Sequence, residues 1–342
     1  MRLCATPRYL PGATDAMPAN TLSFEEELTR LRDEIARLQR EAAAAKSEKD
    51  KIEATGKVVA LERRLEQETV ELYAGLSPWQ KVQVARHPER PYTLDYLRWA
   101  FTDFVELHGD RRFGDDGAIV GGPALLDGRA VMVVGHQKGR GTRENVQRNF
   151  GMARPEGFRK AQRLFKQAEA LALPVVTLVD TPGASVSVGD EERGQAEAIA
   201  SAIETMVSLR VPIVAVVIGE GNSGGALAIS VADRILMLEH SYYSVAAPEA
   251  AAAIMWRSAT HAPEAAAAMG ITAQGLMQGG IVDGIIPEPP GGAHRDHAAA
   301  AAAFRERVSA DLAALLILPP DELLARRYEK YRTLGPYSVC ES

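Results

Sequence analysis

Pro174-Val-Val-Thr-Leu-Val179, running into Asp180-Thr-Pro-Gly-Ala184, has a counterpart in Pro212-Ile-Val-Ala-Val-Val-Ile218, running into Gly219-Glu-Gly-Asn-Ser-Gly-Gly225. Each is an apolar run of strand length that ends in a glycine-bearing loop, and each loop leads into a helix. The second continues as Ala226-Leu-Ala-Ile229. A glycine pair where a helix begins leaves backbone N–H groups unpaired and pointing outward, and the helix dipole adds positive potential there. Such a corner can hold an oxyanion, which points to acyl or enolate chemistry.

Working outward, the runs 119–126 and 129–134 flank Asp127-Gly128, a two-residue hairpin signal. Helical patterns fill 155–171, 191–209 and 225–232, with strand-like runs at 174–179, 212–218, 234–238 and 241–246. Alanine-rich helices follow at 248–258 and 263–269, then a loop at 287–294 and a final helix after Asp321; the alanine cluster 298–303 also reads as packed helix. The order is strand, strand, helix, repeated with short turns, an α/β pattern.

Ahead of this body, Phe24, Leu28, Leu31, Ile35 and Leu38 recur at spacings of four and three among charges, the seam of an amphipathic helix. Ser23 and Glu26 have the spacing of a capping box. A second charged, periodic stretch covers 52–72, and the two predict a helical hairpin. It either covers the body's own core or docks a partner. Four segments follow: an irregular tail 1–22, a helical arm 23–75, the main domain 76–318, and a C-terminal helix and tail 319–342. The first 20 residues lack the apolar core of a secretory signal, and Met17 is an alternative start because helical periodicity begins only after it. An organellar transit segment is the weaker reading of that stretch.

The 342 residues are 46% hydrophobic and 25% charged, ordinary for a globular protein. A net charge of −6 argues against wholesale nucleic-acid binding. No apolar run is long enough to span a membrane. Cys4 and Cys340 sit at opposite ends, which argues against a disulfide framework or a cysteine zinc site and for a reducing, cytoplasmic compartment.

The segment 219–225 fits three patterns. Gly219, Gly221 and Gly224 match a dinucleotide fingerprint, with Glu239 at the ribose position, but the intervening helix is short for that role. Gly221-Asn-Ser223-Gly-Gly225 matches a nucleophile elbow, with Asp283 and then His294 or His297 in the order a serine hydrolase requires. In the third reading the backbone amides near Gly224 and Gly225 hold a developing negative oxygen, glycine being needed for close approach. Lys138, Arg140, Arg143 and Arg148 form a positive loop suited to phosphates, a carrier protein or an acidic partner face. His294 and His297 alone make a weak metal pair, and no metal site is expected.

Seven segments together resemble the α-subunit family of bacterial acetyl-CoA carboxylase carboxyltransferases. They are Asp180-Thr-Pro-Gly-Ala184, Glu191-Glu-Arg-Gly-Gln195, Gly219-Glu-Gly-Asn-Ser-Gly-Gly-Ala-Leu-Ala228, Arg90-Pro-Tyr-Thr-Leu-Asp95, Gly135-His-Gln-Lys-Gly-Arg140, Arg148-Asn-Phe-Gly-Met152 and Pro287-Glu-Pro-Pro-Gly-Gly-Ala-His-Arg295. The likeness runs in order from Phe24 to Tyr331. It implies a crotonase-like fold of ββα superhelical type and transfer of a carboxyl group from carboxybiotin, on a carrier protein, to acetyl-CoA. It also implies a zinc-bearing β subunit, a biotin carboxyl carrier protein and biotin carboxylase as partners, with an α2β2 core. No cofactor is held covalently by this chain. Carried over by motif, Gly224 and Gly225 supply the oxyanion hole facing biotin. Ala226 adds a further amide, and Thr181, Pro182 and Gly183 line the pocket; Lys138 and Arg140 are further substrate-binding residues. The chain departs from the family pattern at Ser185-Val186-Ser187, where Tyr-Pro-Gly is usual, at Asn222, usually glycine, and at Ala250-Ala251, usually Gly-Cys. A non-catalytic assembly subunit is the alternative that these departures keep open.

Overall fold

The structure, a computed structural model, describes residues 22–335. Readings that concern residues 1–21, Met17 among them, and both cysteines fall outside the described residues.

Two long helices, α1 (Glu26–Ala44) and α2 (Glu48–Ala74), form the expected hairpin. Leu28, Leu31, Ile35 and Leu38 are buried along its seam against Val58, Leu61 and Leu65. The capping box is not formed. Ser23 lies inside a 3-10 turn, and the Glu25 amide is satisfied by the Leu22 carbonyl at 2.8 Å, so no side-chain cap is used. The buried Glu25 carboxylate instead roots the arm, accepting from Tyr73 Oη at 3.1 Å and from Arg295 Nη2 at 3.0 Å.

Two short helices, α3 (Pro78–Ala85) and α4 (Thr93–Ala100), lead into the sheet. Strands β1 (Ile119–Leu126) and β2 (Arg129–His136) pair antiparallel across Asp127 (φ +48°) and Gly128 (φ +76°), the left-handed pair that a two-residue hairpin requires. Strands β3 (Val175–Thr181), β4 (Ile213–Asn222), β5 (Arg234–Leu238) and β7 (Gly284–Ile286) add in parallel in the order β1-β2-β3-β4-β5-β7, while β6 (Tyr242–Ser244) pairs with the far end of β4. Between β2 and β3 come α5 (Gly141–Gln147) and α6 (Pro155–Ala170), and between β3 and β4 come α7 (Val188–Glu192) and α8 (Gln195–Ser208). The single helix expected over 191–209 is broken by Gly194 at φ +83°.

Every residue of β3 and β4 is buried, because helices cover both faces. Phe158, Leu164 and Phe165 of α6 and Ala198 and Met206 of α8 pack on Val175, Ile213 and Val217. On the other face Tyr96 and Leu97 of α4 meet Phe304 and Val308 of α13 (His297–Leu316) over Val176, Val214 and Val216. Each such valine, leucine, isoleucine, phenylalanine or methionine contributes about 1.5–3 kcal/mol by leaving water. The remaining helices are α9 (Ser223–Leu227), α10 (Pro248–Trp256), α11 (Ala262–Ala268), α12 (Ala273–Gln278) and α14 (Pro320–Arg332). Arg327 of α14 is fully buried: its guanidinium pairs with Asp233 at 2.8 Å and donates to the carbonyls of Met206, Leu209 and Val211.

Candidate active site

Strand β4 does not stop at Ile218. Gly219-Glu-Gly-Asn222, expected as loop, continues the strand because Tyr242, Tyr243 and Ser244 of β6 pair with Glu220, Gly221 and Asn222. The turn into α9 is therefore made in one step at Ser223, which is exposed and held at φ +59°. Asn222 occupies the N-cap position without capping; its Nδ2 donates to Tyr242 Oη at 2.9 Å. Among the described residues the first-turn amides of α9 thus have no side-chain acceptor.

The two glycines behave differently. Gly224 lines an apolar cavity of about 530 Å³ walled by Leu227, Tyr243, Met269, Ile271 and Leu276. Gly225 is buried against the β3 loop; a Cβ there would stand 2.6 Å from the Gly183 carbonyl carbon. Thr181 is buried, its hydroxyl 2.7 Å from the carbonyls of both Gly151 and Gly183 and sharing its one proton between them, so it shapes the loop from within. Pro182 is half-buried, Gly183 adopts φ +146°, and Ala226 sits in the core under α9.

A buried charge network ties these strand ends together. Lys138 Nζ reaches Asp180 Oδ1 at 2.7 Å and Glu220 Oε1 at 2.8 Å, and the Glu220 amide donates to the same Asp180 oxygen at 3.1 Å. Arg86, at the end of α3, bonds Glu220 Oε2 at 2.9 Å and Glu249 of α10, and Tyr242 Oη donates to Glu220 Oε2 at 2.7 Å. Burial opposes every charge here, yet the neighbouring Lys138 and Arg86 hold the Glu220 carboxyl down at about 2. The two carboxylates in turn raise the Lys138 ammonium above its ordinary value.

This geometry narrows the positive loop expected from Lys138, Arg140, Arg143 and Arg148. Lys138 is turned inward, and Arg148 is tied to Glu144 and the Gly117 carbonyl. Arg140 lies over the Tyr92 ring and pairs with Asp95 at 2.6 Å. Lys138 and Arg148 are thus taken up by internal contacts, while Arg140, paired with Asp95, and Arg143 stay exposed. The serine-hydrolase constellation does not assemble either. Asp283 is held by Lys330 and the Ile235 amide, His294 stacks on His87 at 4.0 Å, and His297 meets the Glu89 carbonyl at 2.7 Å. Among the described residues no hydrogen bond joins any of them to Ser223. For the dinucleotide reading, α9 is five residues long, and Glu239 accepts from the Glu288 amide. Among the described residues no group of three or more His, Cys, Asp and Glu is placed to hold a metal.

Arg86, Tyr242 and Glu249 were not singled out from sequence. Arg86 lies 134 residues from Glu220, and nothing local to it signals a buried carboxylate partner. The cavity walls at Met269, Ile271 and Leu276 were equally silent, being apolar residues in helical and turn segments.

With this geometry in place, comparison with known proteins is decisive. Residues 21–335 match the model of the family described as acetyl co-enzyme A carboxylase carboxyltransferase-like. The chain is similar to the acetyl-coenzyme A carboxylase carboxyl transferase subunit alpha of Stutzerimonas stutzeri, 51% identical over 93% of this chain and 99% of the other. The protein of the same name from Edwardsiella ictaluri is 52% identical over the same shares. In fold, the chain resembles a Pseudomonas malonate decarboxylase hetero-tetramer in complex with coenzyme A, with a TM-score of 0.53 at 21% identity over 63% of this chain and 86% of that one. It also resembles the transcarboxylase 12S core, with a TM-score of 0.52 at 19% identity over 72% of this chain and 42% of that one. The crotonase-like architecture expected from the sequence is the one observed. Among the described residues no helix is long and apolar enough to cross a membrane.

Proposed function

The chain belongs to the acetyl-CoA carboxylase carboxyltransferase family, and on that premise we propose that it works as the α-type half of a biotin-dependent carboxyltransferase. The reaction moves a carboxyl group from carboxybiotin to acetyl-CoA and gives malonyl-CoA, the committed step of fatty-acid synthesis, in the cytoplasm. The other half is a zinc-bearing β subunit in an α2β2 core served by a biotin carboxyl carrier protein and biotin carboxylase. Carboxybiotin supplies the carboxyl group as its N–C bond breaks, and its ureido anion takes the proton that the acetyl methyl gives up.

This chain's task is electrostatic. The amides beginning α9, at Gly224 and Gly225, offer donors to the oxygen that gains charge, each such donor being worth about 2.7–4 kcal/mol of barrier. Half-buried Pro182 belongs to the neighbouring loop, which Thr181 shapes from within through the Gly183 carbonyl. Proton transfer by a side chain of this chain is not required, consistent with the ionised, fully bonded state of Glu220. The observation that carries the reading is the uncapped first turn of α9, with Gly224 at the wall of an apolar cavity. The test is malonyl-CoA formation with carboxylated carrier. The chain alone should show little activity and the chain co-expressed with its β partner full activity; full activity from this chain alone refutes the division of labour.

A further inference from the structure

The outer face of α2 is patterned in a way that the fold does not use. Its core side, Val58, Leu61, Leu65 and Leu72, packs on α1 and the arm's root. On the opposite side Ile52, Val59 and Val70 are 66%, 42% and 51% exposed. At about 100° per residue these three fall within about 20° of one line along the helix. Between Val59 and Val70, within about 40° of that line, stand Arg63 and Glu66, both exposed. Elsewhere on the hairpin Arg64 pairs with Glu68, Lys57 with Glu53 and Arg37 with Glu41. Arg63 and Glu66 make no ion pair with each other or with any described residue.

The order Val59, Arg63, Glu66, Val70 reads as its own complement when reversed. A two-fold axis between residues 64 and 65 carries position 59 onto 70 and position 63 onto 66. We propose that this face of α2 is where two copies of the chain meet, antiparallel about that axis. Val59 then packs on Val70 of the partner subunit, and Arg63 pairs with Glu66 of the partner subunit, each contact occurring twice. The flanking Glu62 falls opposite Gln67 of the partner subunit, so no like charges oppose. A two-fold contact needs a self-complementary patch, whereas an unlike partner places no such symmetry on the sequence. Two apolar pairs around two ion pairs make a small interface, at the low end of specific contacts, which a covalent trap can capture. The inference is independent of the catalytic reading.

The test uses the full chain with Cys4 and Cys340 replaced by serine. Chains carrying Val59→Cys and chains carrying Val70→Cys are oxidised mildly, separately and mixed. The mixture should give a disulfide-linked dimer at least tenfold more abundant than either chain alone, because like positions lie about 16 Å apart along an antiparallel pair. Adding Arg63→Glu to both chains should cut the yield tenfold or more. Placing Arg63→Glu on one chain and Glu66→Arg on the other should restore it, since that pairing again opposes unlike charges. All positions are exposed, and circular dichroism of each variant checks that the hairpin is kept. Equal cross-linking in every combination, no dimer in the mixture, or no rescue by the complementary pair overturns the proposal.

Discussion

Gly225 lies so close to Ala184 that a Cβ on it would stand 2.5 Å from the Ala184 amide nitrogen. The loop after β3 and the first turn of α9 are thereby fixed against each other, backbone to backbone. The same construction at Gly224 meets only Ile199, at 3.5 Å, an ordinary contact.

Gly225→Ala should therefore separate the two loops, lower stability by about 1–3 kcal/mol and reduce malonyl-CoA formation by the assembled enzyme at least a hundredfold. Gly224→Ala should leave the melting temperature within a degree or two and retain activity within severalfold. Equal effects of the two substitutions, read by calorimetry and turnover, contradict the asymmetry.

Lys138→Met should be among the most damaging single changes in the molecule. It leaves Asp180 and Glu220 buried beside each other without their shared ammonium, at a cost of about 3–5 kcal/mol. Denaturant unfolding reads this directly. A change confined to substrate affinity, with unfolding unaffected, would instead make Lys138 a surface-binding residue.

Stability should fall on mild acidification. Burial, with Lys138 adding to it, pushes the His136 ring down to about 3, and burial beside His87 pushes His294 down to about 2. Both stay neutral in the folded chain while the unfolded chain takes up protons below about 6.5. The unfolded state binds more protons there, so stability drops as pH falls from about 6.5 toward 3, by about 1.4 kcal/mol per pH unit for each histidine. His294→Phe should flatten that slope by one histidine's share, measured near pH 6, above the range where the unfolded chain's carboxylates, Glu288 among them with an ordinary value of 4.5, take up protons. An unchanged slope refutes the assignment.

Ala172→Gly should stabilise. Ala172 ends α6 in a left-handed conformation, φ +53°, exposed and closing the turn through its amide to the Glu169 carbonyl. A residue with a Cβ is strained there, and glycine is not, for a gain of about 0.5–1 kcal/mol in thermal or urea unfolding.

Where structure follows from neighbouring residues, the sequence reading held. Asp127-Gly128 marks its hairpin, Leu28 to Leu38 mark the arm seam, and the valine-rich runs at 175 and 213 mark the central strands. Most of the misreadings turn on distant partners, the exceptions being the local turn at Leu22 and the break at Gly194. Gly219 to Asn222 form a strand because Tyr242 to Ser244, 22 residues later, arrive on one side while Thr181 pairs with Gly221 on the other. Ser23 loses its capping role to a backbone turn at Leu22. Lys138, apparently part of a basic loop, is claimed by carboxylates 42 and 82 residues away. The site was legible as a glycine motif, but its supports were not, because a buried ion pair leaves no periodic trace.

Arg327 sets an order of events for synthesis. Asp233, which also accepts from the Ile213 amide at 2.7 Å, and the carbonyls at 206, 209 and 211 acquire the Arg327 guanidinium only when α14 emerges from the ribosome. Until then the nascent sheet carries an internal anion without its counter-charge, so the domain cannot lock before α14 has been made. A message truncated shortly before codon 327 should yield a product that quality-control proteases clear, not a shortened enzyme.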